Sequence, residues 1–435
     1  MTEADFYFRA TCRLCESDDL QCVLELVSTP PGNRVLLEAE LEEVSPAYPL
    51  EVYFCRSCAH VQLGHVVDPR ILYQRRYTYV SGTSPVFVAH LKDYVKSISE
   101  RFELPSGSLV ADIGSNDGTC LRFFRENGFR VLGVDPAQEI ARRATEHGIE
   151  TIAEFFGLEL ARRLRAERGA SHLITSHNTC AHIDDLSDVL EGVTHWLHDD
   201  GLFVMEVGYF VDVYRNGWFD TIYHEHLDYH TVTPLPRFFA RFGLEIIGVD
   251  RTVPQGGSIR VIAQRQSGRH EADGSVERLL ALEVDLSIDK PETLLAFGDR
   301  INAVRTKLTQ LLKGLCGEGK SIAGYGAPTK ATTLLMHFGL GPDVLDFTLE
   351  DNPLKHGCYV PGALIPIVPS AELYRRNPDY LVILAWNFAR PIMEKHQRFH
   401  EKGGRFIIPM PEPLSVEDLD GYLRAAEGGG VNENP

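Results

Sequence analysis

No run of about 18 consecutive apolar residues occurs in the chain, so no membrane-spanning helix is expected. The opening MTEADFYFRA lacks a basic stretch followed by an apolar core, and no secretory signal is expected. Cysteine is sparse: nine in 435 residues, an odd number, which argues against a disulfide framework and fits reduced thiols in a cytoplasmic protein. Cations are in deficit, with 43 Lys plus Arg against 61 Asp plus Glu and a net charge of −18. Such a chain repels a phosphate backbone, and no Lys/Arg-rich stripe with interleaved aromatics offsets that, so nucleic acid is not an expected partner. Nucleotide-sugars stay open, because one or two local cations can hold a diphosphate. Low-complexity tracts are also missing. A 44% hydrophobic and 24% charged balance excludes disordered, collagen-like and coiled-coil classes. At roughly 150 residues per domain the length suggests about three domains.

What is present divides into segments. Residues 1–75 are short in pattern, Pro-rich and irregular, and they read as a zinc-binding module. Cys12-Arg13-Leu14-Cys15 and Cys55-Arg56-Ser57-Cys58 are two CxxC knuckles. Each turn puts two thiolates on one side of a tight loop, and two turns complete a tetrahedral Zn²⁺ site with no open position, hence a structural one. Four unrelated thiols are the alternative. The other cysteines, Cys22, Cys120, Cys180, Cys316 and Cys358, are scattered.

Residues 76–250 alternate strand and helix signals: VADIGSNDG, RVLGVDP, HLITSHN and GLFVMEVG, separated by stretches such as PAQEIARRATEHG. Alternation of this kind predicts an α/β domain with a doubly wound, Rossmann-like parallel sheet. Residues 251–420 begin with GGSIRVIAQR, which reads as an exposed antiparallel strand. A long helical pattern at 275–315 follows, and then the strand signals KSIAGYGAP, VLDFTLEDN, YLVILAW and RFIIPMPEP, a second Rossmann-like α/β domain. Residues 421–435 read as a disordered tail.

The loop Asp112-Ile113-Gly114-Ser115-Asn116-Asp117-Gly118 joins a strand to a helix. Its glycines let a ligand approach the backbone closely. Asp135, closing the next strand, can accept hydrogen bonds from ribose hydroxyls. The GxGxxG of a dinucleotide site is absent. Glu154 and Phe155 follow a further strand, where adenine could stack. Together these favour S-adenosylmethionine, with an ordinary tight turn as the alternative. Asn178 and His182 lie just past another strand, at the carboxyl edge where doubly wound sheets bind ligands. The run Tyr223-His224-Glu225-His226-Leu227-Asp228-Tyr229-His230 is dense in proton-active side chains. Histidine takes a proton near neutrality, which suits a general base. A metal site at His224 and His226 is the competing reading.

In order, the paired CxxC knuckles, D-I-G-S-N-D-G, N-x-x-A-H-I, Y-x-E-H and G-Y-G-A-P-T-K resemble the S-adenosylmethionine-dependent sugar C-methyltransferases. These build branched deoxysugars, such as the tetronitrose type, on nucleotide-linked ketosugars. The resemblance implies His226 as the base, with Tyr223 and Glu225 beside it and His182 nearby. It implies a sugar-contacting tyrosine from the linker, Tyr77 first and Tyr79 second. It also implies nucleotide-diphosphate binding by Gly324–Lys330, including Tyr325 and Lys330, with Lys355 and Asn387 as further candidates. His224 is an added imidazole without an assigned role, carried as a substrate-side candidate. The expected substrate is a TDP-linked 4-ketosugar methylated at C3 through an enolate, by a monomer or weak homo-oligomer. The alternatives are an O- or N-methyltransferase of another small metabolite, a zinc-containing RNA methyltransferase and a non-catalytic nucleotide-sugar-binding protein.

Overall fold

The computed structural model describes residues 5–42, 45–73, 80–252, 256–266 and 268–428. The chain forms two compact units. One comprises residues 1–24, 51–213 and 224–295, the other 25–50, 214–223 and 296–435. These divisions do not fall at 75 and 250. None of the described helices is long and apolar enough to cross a membrane.

The N-terminal strands are short: β1 (Phe6–Phe8), β2 (Leu20–Thr29), β3 (Tyr48–Cys55), β4 (Val61–Leu63) and β5 (His65–Val67). β1 pairs with β5 antiparallel. The unit boundaries at 24/25 and 50/51 fall inside β2 and β3.

The larger sheet of the first unit uses β6 (Leu109–Ile113), β7 (Arg130–Val134), β8 (Thr151–Ile152), β9 (Ser171–His177) and β10 (Leu197–Gly208). A short β11 (Asp228–Tyr229) follows, then β12 (Leu244–Thr252) and β13 (Ser258–Arg265). The strand order is β12-β13-β10-β9-β6-β7-β8, with β6 to β10 parallel and β12 and β13 antiparallel. β6, LVADI, is buried at every position, as a strand covered on both faces must be. The helix Pro85–Arg101 starts at Ser84, whose side chain accepts from the Phe87 amide, with proline in the first turn. Its apolar face, Phe87, Leu91, Tyr94, Val95 and Ile98, packs into the same core as Val110, Leu121, Phe124 and Leu173. Burying side chains of that size is worth about 1.5–3 kcal/mol each. β11 joins the N-terminal strands in a second sheet, in the order β11-β4-β3-β2.

β13 corrects the sequence reading. It is antiparallel, as read, but it is not exposed: it is an inner strand of this sheet, buried from Ser258 to Gln264. Its alternating polar residues are satisfied inside: Arg260 donates to Glu206 at 2.8 and 3.0 Å, and Gln264 to Glu245 at 2.8 Å.

The second unit carries β14 (Ile322–Tyr325), β15 (Thr348–Glu350), β16 (Ile367–Pro369), β17 (Tyr380–Ile383), β18 (Arg405–Ile408) and β19 (Leu414–Val416). Their order is β16-β15-β14-β17-β18-β19, parallel except for β19. The expected second α/β sheet is therefore present. The helical pattern at 275–315 resolves into two helices, Ser275–Asp285 and Pro291–Gly317. The tail reading is corrected in part, because Leu419–Gly428 is a helix; residues 429–435 lie outside the described residues.

Candidate active site

The two CxxC turns bring Cys12, Cys15, Cys55 and Cys58 together, with all four sulfurs within 4.8 Å of one another. Cys12 and Cys58 stand 3.6 Å apart, and Cys15 and Cys55 stand 3.5 Å apart. Sulfurs bound tetrahedrally at about 2.3 Å lie ~3.8 Å from each other, so the cluster fits Zn²⁺. Each turn closes on itself, with Glu16 donating its amide to the Cys12 carbonyl and Ala59 to the Cys55 carbonyl.

The loop after β6 is a backbone cradle. Gly114 and Gly118 both have φ +75°, and Asn116 has φ +50°. A Cβ on Gly114 would lie 1.9 Å from Thr179 Oγ1, so only glycine fits under the loop that follows β9. The Asn116 amide donates to Asp135 Oδ2 at 2.9 Å, and the Ala137 amide to Oδ1 at 2.8 Å. Burial raises the Asp135 carboxyl above its usual range, and those two amides pull it back. Ser115 Oγ and Asn178 Nδ2 are buried with no hydrogen-bond partner among the described residues. A glycine cradle beside polar atoms awaiting partners fits the adenosyl and amino-acid ends of S-adenosylmethionine. Asp112 is buried, 3.9 Å from His177 and close to Cys120. Glu154 pairs with Arg163, and Phe155 is 47% exposed, free to meet a flat ring.

Two loops bring the histidines together. The Leu227 amide donates to the Ala181 carbonyl at 2.7 Å, which sets the residues on either side of the link abreast. The His182 and His226 rings stand 5.0 Å apart at 34°. Tyr73 stacks on His182, at 6.1 Å and 10°, and its hydroxyl donates to the Glu225 carbonyl at 3.4 Å. Burial, and then the His226 ring, push the His182 pKa well below its ordinary value. His224 and Glu225 are buried and Tyr223 half-buried. Tyr73 is a residue the sequence reading missed. The linker tyrosines it favoured, Tyr77 and Tyr79, lie outside the described residues. Among the described residues, the groups of three or more ligands suited to a metal are the four-cysteine cluster and Asp112–Cys120–His177; His224 and His226 are in neither.

In the second unit, Lys330 Nζ sits 3.4 Å from the Trp386 ring centroid and donates to Asn387 Oδ1 at 3.0 Å. Trp386 Nε1 donates to the buried Asp220 at 2.7 Å. Burial lowers the Lys330 pKa to about 8 against the pull of Asp220, and burial raises Asp220 to about 6 against the pull of Lys330. Lys355 donates to the Ala327 carbonyl at 2.8 Å, within the GYGAPTK run. Tyr325 turns elsewhere, donating to Asp351 at 3.0 Å beside His396. The structure thus brings Lys330 and Asn387 together and leaves Tyr325 in a separate cluster.

Three family models match the chain: a zinc binding domain over residues 12–73, a methyltransferase domain over 87–249, and a C-methyltransferase C-terminal domain over 254–411. Among solved structures, the magnesium protoporphyrin IX methyltransferase of Synechocystis PCC 6803 is 14% identical, over 41% of this chain and 81% of that one, at a TM-score of 0.32. The PH0226 protein of Pyrococcus horikoshii OT3 is 15% identical, over 43% of this chain and 95% of that one, at a TM-score of 0.35. The C-methyltransferase NovU of Streptomyces niveus is 38% identical over 405 residues, 93% of this chain and 96% of the relative. On that similarity the chain belongs to the S-adenosylmethionine-dependent C-methyltransferases.

Proposed function

We propose that the enzyme methylates C3 of a nucleotide-linked 4-keto-deoxysugar, with TDP as the nucleotide. Carbon is a weak nucleophile, and a neighbouring keto group acidifies its C–H bond. His226 takes the C3 proton. His182, whose pKa burial lowers, donates a ring N–H to the enolate oxygen, with Tyr73 stacked on it as a brace. Tyr223, Glu225 and His224 line the same run of chain. The cofactor, when bound, supplies an electrophilic sulfonium methyl. Gly114, Ser115, Asn116, Gly118, Asp135 and Asn178 hold and orient it. Lys330, with Asn387 and the segment braced by Lys355, meets the diphosphate oxygens. The pairing of the His226 and His182 rings, 5.0 Å apart, supports this reading most.

Incubation with a TDP-4-keto-6-deoxysugar and S-adenosylmethionine, followed by carbon NMR, should show a new C–CH₃ at C3. A methyl on oxygen or nitrogen would overturn the proposal. His226→Ala should slow turnover by about 10²–10⁴-fold. It should also stop deuterium exchange at C3 in the absence of cofactor.

A further inference from the structure

Arg13 sits between the first two zinc-type cysteines, where it reads as filler. Yet it is 1% exposed. Its Nε donates to Asp184 Oδ1 at 2.9 Å, and its Nη1 to the carbonyls of Leu63 at 2.7 Å and Leu227 at 3.3 Å. Its own amide donates to Gln62 Oε1 at 2.8 Å. Asp184 lies two residues beyond His182, and Leu227 directly follows His226. One guanidinium therefore grips both loops that carry the paired histidines.

Neighbouring contacts reinforce the grip. Arg9 donates to Asp184 Oδ2 and to the Asp184 carbonyl, each at 3.1 Å, and the Tyr7 hydroxyl also reaches Asp184. The Leu63 amide donates to the Leu227 carbonyl at 2.9 Å. His60, two residues past Cys58, meets Asp228 at 2.6 Å with both side chains fully buried. Each cysteine turn thus sends one buried polar side chain to the strand or loop beside His226. A module needed only for its own stability would not require a buried arginine spent on residues more than 170 positions away.

We propose that Arg13 is a positioning residue of the methyl-transfer centre, through which the four-cysteine knot sets the places of His182 and His226. This rests on the reading of those two histidines as the reacting pair. The planar fork is what the task needs, because Nε and Nη1 bind a carboxylate and two carbonyls at fixed angles. Lysine offers a point charge on a flexible stem and cannot hold both loops at once.

The test compares Arg13→Met, Arg13→Lys and Asp184→Asn with the wild type in the full-length, zinc-loaded protein. Histidine-selective ¹⁵N NMR reads the ring signals of His182 and His226 without any substrate. The expected result is shifted signals for both rings in all three variants, with zinc content and cofactor affinity unchanged. A misplacement near 1 Å costs about 10²-fold, so kcat should fall about 10–100-fold, with KM for the cofactor held and no rescue by Arg13→Lys. Ring signals that coincide with the wild type's would overturn the proposal. So would kcat within about twofold of wild type, or loss of zinc in step with the ring shifts, which would make Arg13 a part of the metal site alone. Should Arg13→Met fail to fold, Asp184→Asn decides by the same criteria. Absence of methyl transfer by the wild type would count against the substrate reading and leave the NMR comparison standing.

Discussion

At the scale of single residues, the sharpest consequence concerns Lys330. Burial draws its pKa to about 8, so the ammonium proposed to meet the diphosphate discharges as pH rises through that value. Affinity for TDP, measured by calorimetry, should fall across that range, and Lys330→Met should flatten the profile at the weaker level. Asp220→Asn removes the carboxylate that holds the pKa up, and should move the midpoint below about 8. The same shift acts on stability with the opposite slope. Between about 8 and the ordinary 10.5 the unfolded chain holds a proton that the folded chain lacks, so this group's contribution to stability grows with pH there. A binding profile that is flat from pH 7 to 9 would remove Lys330 from the anion site. Much at this scale was legible. His226 stood out because proton-active residues cluster around it, His182 because it lies just past a strand at the sheet's carboxyl edge, and the cysteines because spacing alone announces a knuckle. Tyr73 and Arg13 were not, since each depends on a partner distant in sequence. Tyr73 ends a helix of ordinary pattern, and its stacking on His182 has no local signature.

At the scale of elements, the β6 loop is the proposed cradle of the cofactor. Gly114→Ala places a methyl against Thr179 and holds alanine at φ +75°. The left-handed conformation alone costs about 1–2 kcal/mol. Gly107 offers a control, with φ +71° and nothing within 4 Å of where a methyl carbon would stand. Gly107→Ala should show only the conformational cost in urea unfolding, with cofactor affinity intact. Gly114→Ala should lose more stability and bind S-adenosylmethionine more weakly; equal affinities would mean that the cradle does not hold the cofactor. Parallel strands were readable as short apolar runs between helices. β13 was not, because its period-2 pattern implies one wet face. In the fold its polar face is dry, matched by Glu206 and Glu245 on adjoining strands. Burial alone would raise the Glu206 carboxyl, but His90, His177 and Arg260 hold it down at about 2. A polar face satisfied by a neighbouring strand looks identical, in one dimension, to a face turned to water.

At the scale of the whole molecule, the order of a zinc-type module and two α/β sheets was legible, because each leaves its own spacing pattern. The interleaving was not. The second unit draws on residues 25–50 and 214–223 as well as on the chain from 296 onward. Its interior depends on them: Phe219 stacks on Phe338 at 5.0 Å, and Asp220 accepts from Trp386. A fragment of residues 296–435 should therefore lack native near-ultraviolet dichroism and a cooperative melt. A sharp, cooperative transition of the fragment would refute this. The boundary at Tyr223 and His224 falls inside the Y-H-E-H run itself. Recombination that exchanged residues 296–435 as a cassette would pair an incoming sheet with resident segments shaped for another. A working exchange would have to carry residues 25–50 and 214–223 along with the sheet they complete.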